Sequence, residues 1–187
     1  MMHSAKLTRM TTLSLVMSKL SLLIIVIMVA INILSWLEPK LILEKYGLGF
    51  SLTERILSHI DKNTLCAWTL TGGILISTIP LLSLIGSFWA FHRLFGNYRK
   101  GDYFSKHTVK YLEYAGWGVI LWSVLDILCE PLLTVWLTMS APAGERFITL
   151  SLTTGHFVAI FISVCLAIIS RILYQACDMY DENQSII

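Results

Sequence analysis

Charge is what this chain has least of. Lys, Arg, Asp and Glu together make up 14% of its 187 residues, against about 25% in an ordinary soluble domain. The shortage is concentrated in four stretches, near 20–37, 68–94, 116–138 and 155–173, that hold almost no charged residue. A water-soluble surface cannot be built from them. Cysteine is equally unhelpful to chemistry. Cys66, Cys129, Cys165 and Cys177 lie far apart, with no Cys-x-x-Cys and no Cys/His cluster, which excludes a legible metal site or thiol-redox pair. There is no His-Glu-x-x-His, no supported Ser/His/Asp set and no phosphate-binding glycine loop. No catalytic residue, metal or cofactor is therefore expected, and the chain reads as a non-enzyme.

What is present is apolar length. A helix crosses about 30 Å of hydrocarbon with about 20 apolar residues, and helices satisfy their backbone hydrogen bonds internally in lipid. The four stretches predict an all-α polytopic membrane protein, a four-transmembrane-helix bundle forming a single membrane domain over 1–187. Lys6, Arg9 and Lys19 precede the first stretch. That stretch is longer than a signal h-region, and Leu37-Glu38-Pro39-Lys40 offers no small-x-small cleavage site, so it is expected to stay as an anchor. Lys and Arg flanking the spans set orientation. With the N-terminus inside, the inner face carries Lys6, Arg9, Lys19, Arg93, Arg99, Lys100, Lys106, Lys110 and Arg171, against Lys40, Lys45, Arg55, Lys62 and Arg146 outside. The expectation is N-in/C-in, in the inner membrane of a bacterium. Trp36, Trp68, Trp117 and Trp136 stand at span ends, as an interfacial belt would require.

The connecting segments have patterns of their own. Ser51-Leu52-Thr53-Glu54 fits a capping box, followed by Ile56, Leu57 and Ile60 on one face, which predicts a short amphipathic helix in the first outer loop. In the second outer loop Phe147, Thr149 and Ser151 alternate with Ile148, Leu150 and Leu152. That period of two predicts an extended segment, with the last span starting near Gly155 behind Thr153 or Thr154 as N-cap. In the second span Gly73 and Ser77, Ser83 and Ser87, and Gly86 and Ala90 are spaced by four. Such small pairs let helices approach closely, within the bundle or in a homo-oligomer.

Two regions are candidates for function. Asp126 and Glu130 lie four apart inside the third span, on one helix face. Acids at that depth are costly and are functional candidates by default. They read as an intramembrane polar site with Asn32, or with the hydroxyls of Thr71, Ser77, Thr78 or Ser163. It is a structural clamp, a proton or cation site, or a sensing group. His156 reads as a capping or interfacial residue, and His92 and His107 as members of the inner basic loop. That loop sets Tyr98, Arg99, Lys100, Gly101, Tyr103, Phe104, Ser105 and Lys106 in a row that interleaves basic and aromatic residues. Beside a membrane this composition predicts contact with anionic lipid headgroups or a protein docking surface, rather than nucleic acid. Gly101 is suited to a positive φ and Ser105 to capping the next helix.

The run Tyr98-Arg99-Lys100-Gly101-Asp102-Tyr103-Phe104-Ser105, then Leu112 and Gly116-Trp117, resembles the inner loop of a bacterial four-span membrane family catalogued as domain of unknown function 2975. Pro142-Ala143-Gly144, Ile148 to Leu152, Arg171-Ile172-Leu173 and the closing Asp181-Glu182-Asn183 extend the resemblance. Two features depart from the family pattern: Ala176 or Cys177 stands where a glycine is usual, and Glu130 stands where members tend to be apolar. The resemblance implies four spans and no established activity, and it hints at a cytosolic helix-turn-helix regulator as partner. The expected function is a non-enzymatic sensor or regulatory partner, docking a cytosolic protein through the basic inner loop and the C-terminus. The alternative is a small proton- or cation-coupled transporter using Asp126 and Glu130.

Overall fold

The computed structural model describes residues 2–37, 56, 66–102, 105–139, 142, 144 and 146–185. Among them are four helices and no strand: α1 (Met2–Leu37), α2 (Ala67–Arg99), α3 (Lys106–Thr138) and α4 (Thr154–Ser185). All four are long and apolar enough to cross a membrane. Each expected span lies inside one helix, but the helices run further. Their lengths of 36, 33, 33 and 32 residues correspond to about 48–54 Å, well beyond about 30 Å of hydrocarbon. The extra turns are charged or polar sequence that nothing interrupts. Met2–Leu37, for example, contains neither Gly nor Pro, so α1 has no breaker before its apolar stretch begins. The amphipathic helix expected in the first outer loop lies outside the described residues, except for Ile56, which is buried.

The burial pattern is inverted relative to a soluble bundle. Leu75, Leu82, Trp89, Leu128, Leu132, Phe161 and Ile172 are all exposed, whereas Ser35, Ser87, Ser123, Thr134 and Ser163 are at most 1% exposed. Large apolar side chains on the outside and small polar ones inside is the arrangement a hydrocarbon solvent selects. Many inner hydroxyls satisfy themselves within their own helix. Ser14, Ser21 and Ser35 donate to the carbonyls of Met10, Met17 and Ile31, and Thr138 to that of Thr134. Each bond reaches back four residues, so no second helix is needed to complete it.

The chain forms two compact units, and each helix contributes to both. One is built from Met1–Ile25, Leu84–Ile120 and Phe157–Ile187. Here the His92 Nδ1–H lies 3.0 Å from the Ser18 carbonyl, and the Ser18 hydroxyl donates to the His92 carbonyl. A carbonyl only accepts, so the proton sits on Nδ1. His92 is thus an α2 residue joined to α1, and not part of a loop. The backbone of α4 comes close at Gly116, where a Cβ would press on the Ser163 carbonyl.

The other unit is built from Val26–Ser83 and Leu121–His156. Trp36, Ile56, Cys129, Leu133 and Leu137 form its apolar cluster. Trp36 lies over Gly73 and donates its Nε1–H to Ser77 Oγ at 3.1 Å. Trp136 lies over Gly72 and donates to the Thr69 carbonyl at 3.0 Å. The small pair Gly73/Ser77 therefore forms an indole seat, with the glycine giving room and the serine an acceptor. Two of the four expected belt tryptophans are packing residues for this reason, while Trp68 and Trp117 are 72% and 57% exposed.

Candidate functional site

Asp126, Glu130 and Thr134 are successive i, i+4 positions on α3 and share one buried face. The segment 146–153 is neither helix nor strand, and its burial alternates: Phe147, Thr149 and Ser151 are half-buried, Ile148, Leu150 and Leu152 exposed. The expected period of two is present. The segment lies along α3 in a fixed register. The Thr149 N–H approaches Thr134 Oγ1 at 3.4 Å. Ser151 donates twice to Glu130, its N–H to Oε2 at 3.0 Å and its hydroxyl to Oε1 at 2.6 Å. The geometry explains the match. Four residues of helix advance about 6 Å, and two residues of extended chain advance about 6.6 Å, so every second residue of the segment meets every fourth residue of the helix.

The third contact follows where the segment becomes α4. Thr153 is the N-cap, with the His156 N–H donating to its carbonyl at 3.1 Å. His156 occupies the third helical position and reaches back, accepting the Thr153 N–H on Nδ1 at 3.2 Å. A capping box normally uses Glu or Gln there. A backbone N–H only donates, so Nδ1 is the acceptor and the ring proton sits on Nε2. That Nε2–H points at Asp126 Oδ2, 2.9 Å away. Asp126 is 5% exposed, Glu130 2% and His156 3%, and the Trp122 ring packs 5.8 Å from the imidazole.

The acids are thus brought together with the segment between α3 and α4, and not with the groups expected from the sequence. Asn32 is buried on α1 but hydrogen-bonds neither acid. Ser77 serves Trp36, Thr71 and Thr78 bond back within α2, and Ser163 Oγ is buried without a partner. The reading of His156 as a capping residue holds, and its second bond, to Asp126, was not foreseen. Spacing carried a signal for it. A polar stripe at 126, 130 and 134 faces polar residues at 149, 151 and 153, and His156 stands three residues past an N-cap. No group of three or more His, Cys, Asp or Glu among the described residues is placed to hold a metal ion.

The basic stretch between α2 and α3 resolves into a hydrogen-bonded turn. Asp102 N–H donates to the Asn97 carbonyl at 3.2 Å and Gly101 N–H to the Tyr98 carbonyl at 3.1 Å. With Gly101 at φ +85°, this is a Schellman ending of α2. The α3 N-cap is Ser105, whose Oγ accepts the Thr108 N–H at 3.2 Å. Its hydroxyl donates to Asp102 Oδ2 at 2.7 Å, which also receives the Thr108 hydroxyl at 3.0 Å. Asn97 Nδ2 donates to Thr108 Oγ1 at 3.1 Å. Lys106 pairs with Asp178 of α4 at 2.6 Å and lies over the Tyr174 ring.

Gly101, Ser105 and Lys106 are therefore structural members of this corner. Arg99 and Lys100 are exposed, and Tyr98 is half-buried. Tyr103 and Phe104 lie outside the described residues.

No curated protein and no solved structure matches the chain. One family model does, over residues 55–187, a region that takes in α2, α3, α4, the turn and both buried acids. The match spans well over half of the sequence, and the chain belongs to the family described as Protein of unknown function (DUF2975).

Proposed function

We propose that this protein is a non-enzymatic sensor or regulatory partner of a bacterial inner membrane, with both termini in the cytoplasm. The observation that carries the reading is the use made of the buried acids. Asp126 and Glu130 both hold the segment that enters α4, through His156 and Ser151. A carboxylate that clamps a non-helical segment is a natural point for a signal to act, because losing the clamp frees backbone rather than opening a path. The transporter reading draws less support, since both carboxylates already receive protein donors. The output face is the exposed end of α2 at Arg99 and Lys100. There a cytosolic protein competes with anionic headgroups, worth about 1 kcal/mol per basic residue near the surface.

A photo-crosslinking residue at position 100 in living cells tests this. The expected result is one reproducible protein adduct whose yield changes in a Glu130→Leu background. Phospholipid as the sole adduct under every growth condition would overturn the docking reading.

A further inference from the structure

Within the unit that holds the basic turn, α1, α2 and α4 leave an open groove of about 380 Å³. Met10, Leu13 and Met17 line it from α1, Phe95 and Tyr98 from α2, and Leu173 from α4. Its volume falls in the range of ligand sites, roughly 300–1,000 Å³, and its walls are mostly apolar, with Ser14 of α1 also lining it and donating its hydroxyl to the Met10 carbonyl. The α2 wall ends an aromatic ladder in which Phe88, Phe91, Phe95 and Tyr98 follow one another at ring separations of 6.4, 6.3 and 6.2 Å.

The level of the groove decides what can enter it. Each lining helix carries a basic residue two positions from a groove residue, on the side of its uncharged stretch: Lys19 beside Met17, Arg93 beside Phe95 and Arg171 beside Leu173. Lys and Arg prefer the membrane boundary to its interior by a few kcal/mol. The groove therefore stands at or beyond the headgroups, where an acyl chain would have to leave the hydrocarbon to fill it. Met10 and Leu13 are 59% and 64% exposed there. Arg99, Lys100 and Arg171 are exposed as well, with no ion pair among the described residues.

An apolar channel with flexible methionines, ending beside the exposed Arg99 and Lys100 at the close of α2, is the complement of one kind of partner. We infer that this groove receives an amphipathic helix of a soluble protein, its apolar face against Leu13 and Phe95 and its acidic face toward Arg99 and Lys100, which follow the groove residue Tyr98 at the end of α2. Helix-in-groove docking uses apolar anchors at i, i+3, i+4 and i+7, and methionine adapts its shape to such anchors. The inference rests on the docking reading above and names the chemistry of the partner.

The test uses the full-length protein in phosphatidylcholine nanodiscs and two labelled peptides of about five helical turns (about 18 residues). Both carry leucine on one face, with glutamate on the other face of one peptide and lysine on the other face of its counterpart. Fluorescence anisotropy should show the glutamate peptide binding about tenfold more tightly. The double variant Met10→Gln, Leu13→Gln should weaken it about tenfold, with the melting profile unchanged because both positions are exposed. Arg99→Gln with Lys100→Gln should weaken binding and flatten its salt dependence. Equal binding of the two peptides, or parent-like binding by the Met10/Leu13 variant, would overturn the inference. A position-100 adduct that persists unchanged in that variant would leave the docking reading standing and remove the groove from it.

Discussion

Removing the Glu130 carboxylate leaves two donors on Ser151, its amide and its hydroxyl, without their acceptor. A fully buried donor stranded in this way costs about 1–3 kcal/mol, and Ser151 is half-buried, so the loss falls at the lower end of that range. Glu130→Gln keeps one carbonyl oxygen and can serve one of the two donors, so it should fall between the parent and Glu130→Leu. Unfolding in detergent should rank them parent, Gln, Leu, and the Ser151 amide should exchange fastest in the Leu variant. Parent-like stability of Glu130→Leu would remove the clamp. His156 makes a second prediction at this scale. Its Nδ1 accepts the Thr153 N–H and its Nε2–H faces Asp126, so ¹⁵N spectra of the labelled ring should show the neutral Nε2–H tautomer. Asp126→Asn should preserve that tautomer, because the Asn carbonyl oxygen still accepts. An Nδ1–H tautomer in the parent would contradict the capping arrangement.

Elements add what single residues do not. The second helix has two adjacent glycines under two indoles, and Gly86 further along has open space around it. A methyl at Gly73 overlaps Trp36, and one at Gly72 overlaps Trp136. Overpacking of this kind costs about 1–3 kcal/mol. Gly86→Ala meets nothing and removes a glycine from a helix interior, worth up to about 1 kcal/mol in the stabilising direction. Thermal unfolding should therefore separate the three alanine variants, with Gly72 and Gly73 destabilised and Gly86 neutral or improved. The corner between α2 and α3 gives a parallel case. Gly101→Ala places a Cβ in the left-handed region, at about 1–2 kcal/mol, and Ser105→Ala removes an N-cap, at about 1 kcal/mol. Both should lower stability without altering the charge of the corner.

For the whole molecule the open quantity is orientation. Basic residues near short loops resist translocation, so the expected outcome places the corner at Lys100 in the cytoplasm and Arg146 outside. In a cysteine-free background, Lys100→Cys should react with an impermeant maleimide only after the cells are opened, and Arg146→Cys should react in intact cells. The reverse labelling would invert the assignment and move the proposed output face to the other compartment. Exposed Ile148, Leu150 and Leu152 on the segment before α4 bear on the same scale. They give the segment an apolar outer side, while on its inner side the Thr149 and Ser151 amides and the Ser151 hydroxyl bond to α3, as non-helical backbone near lipid requires.

Much of this protein is legible without coordinates, because solvent acts on sequence locally. Four long, charge-poor apolar stretches announce four helices able to span a membrane. Gly101 and Ser105 announce a helix end and a helix start, and the alternation from Phe147 to Leu152 announces extended chain. Each of these depends on residues within a few positions of one another. The partners of the buried acids depend on something else. Whether Asp126 meets Asn32 or His156, and whether Trp36 sits at a boundary or over Gly73, turns on which helix faces are apposed, and four nearly uniform apolar helices leave that undetermined in sequence. Tertiary structure decided it through the matched rise of helix and extended segment, which aligns residues 149 and 151 with 134 and 130 and leaves His156 opposite Asp126.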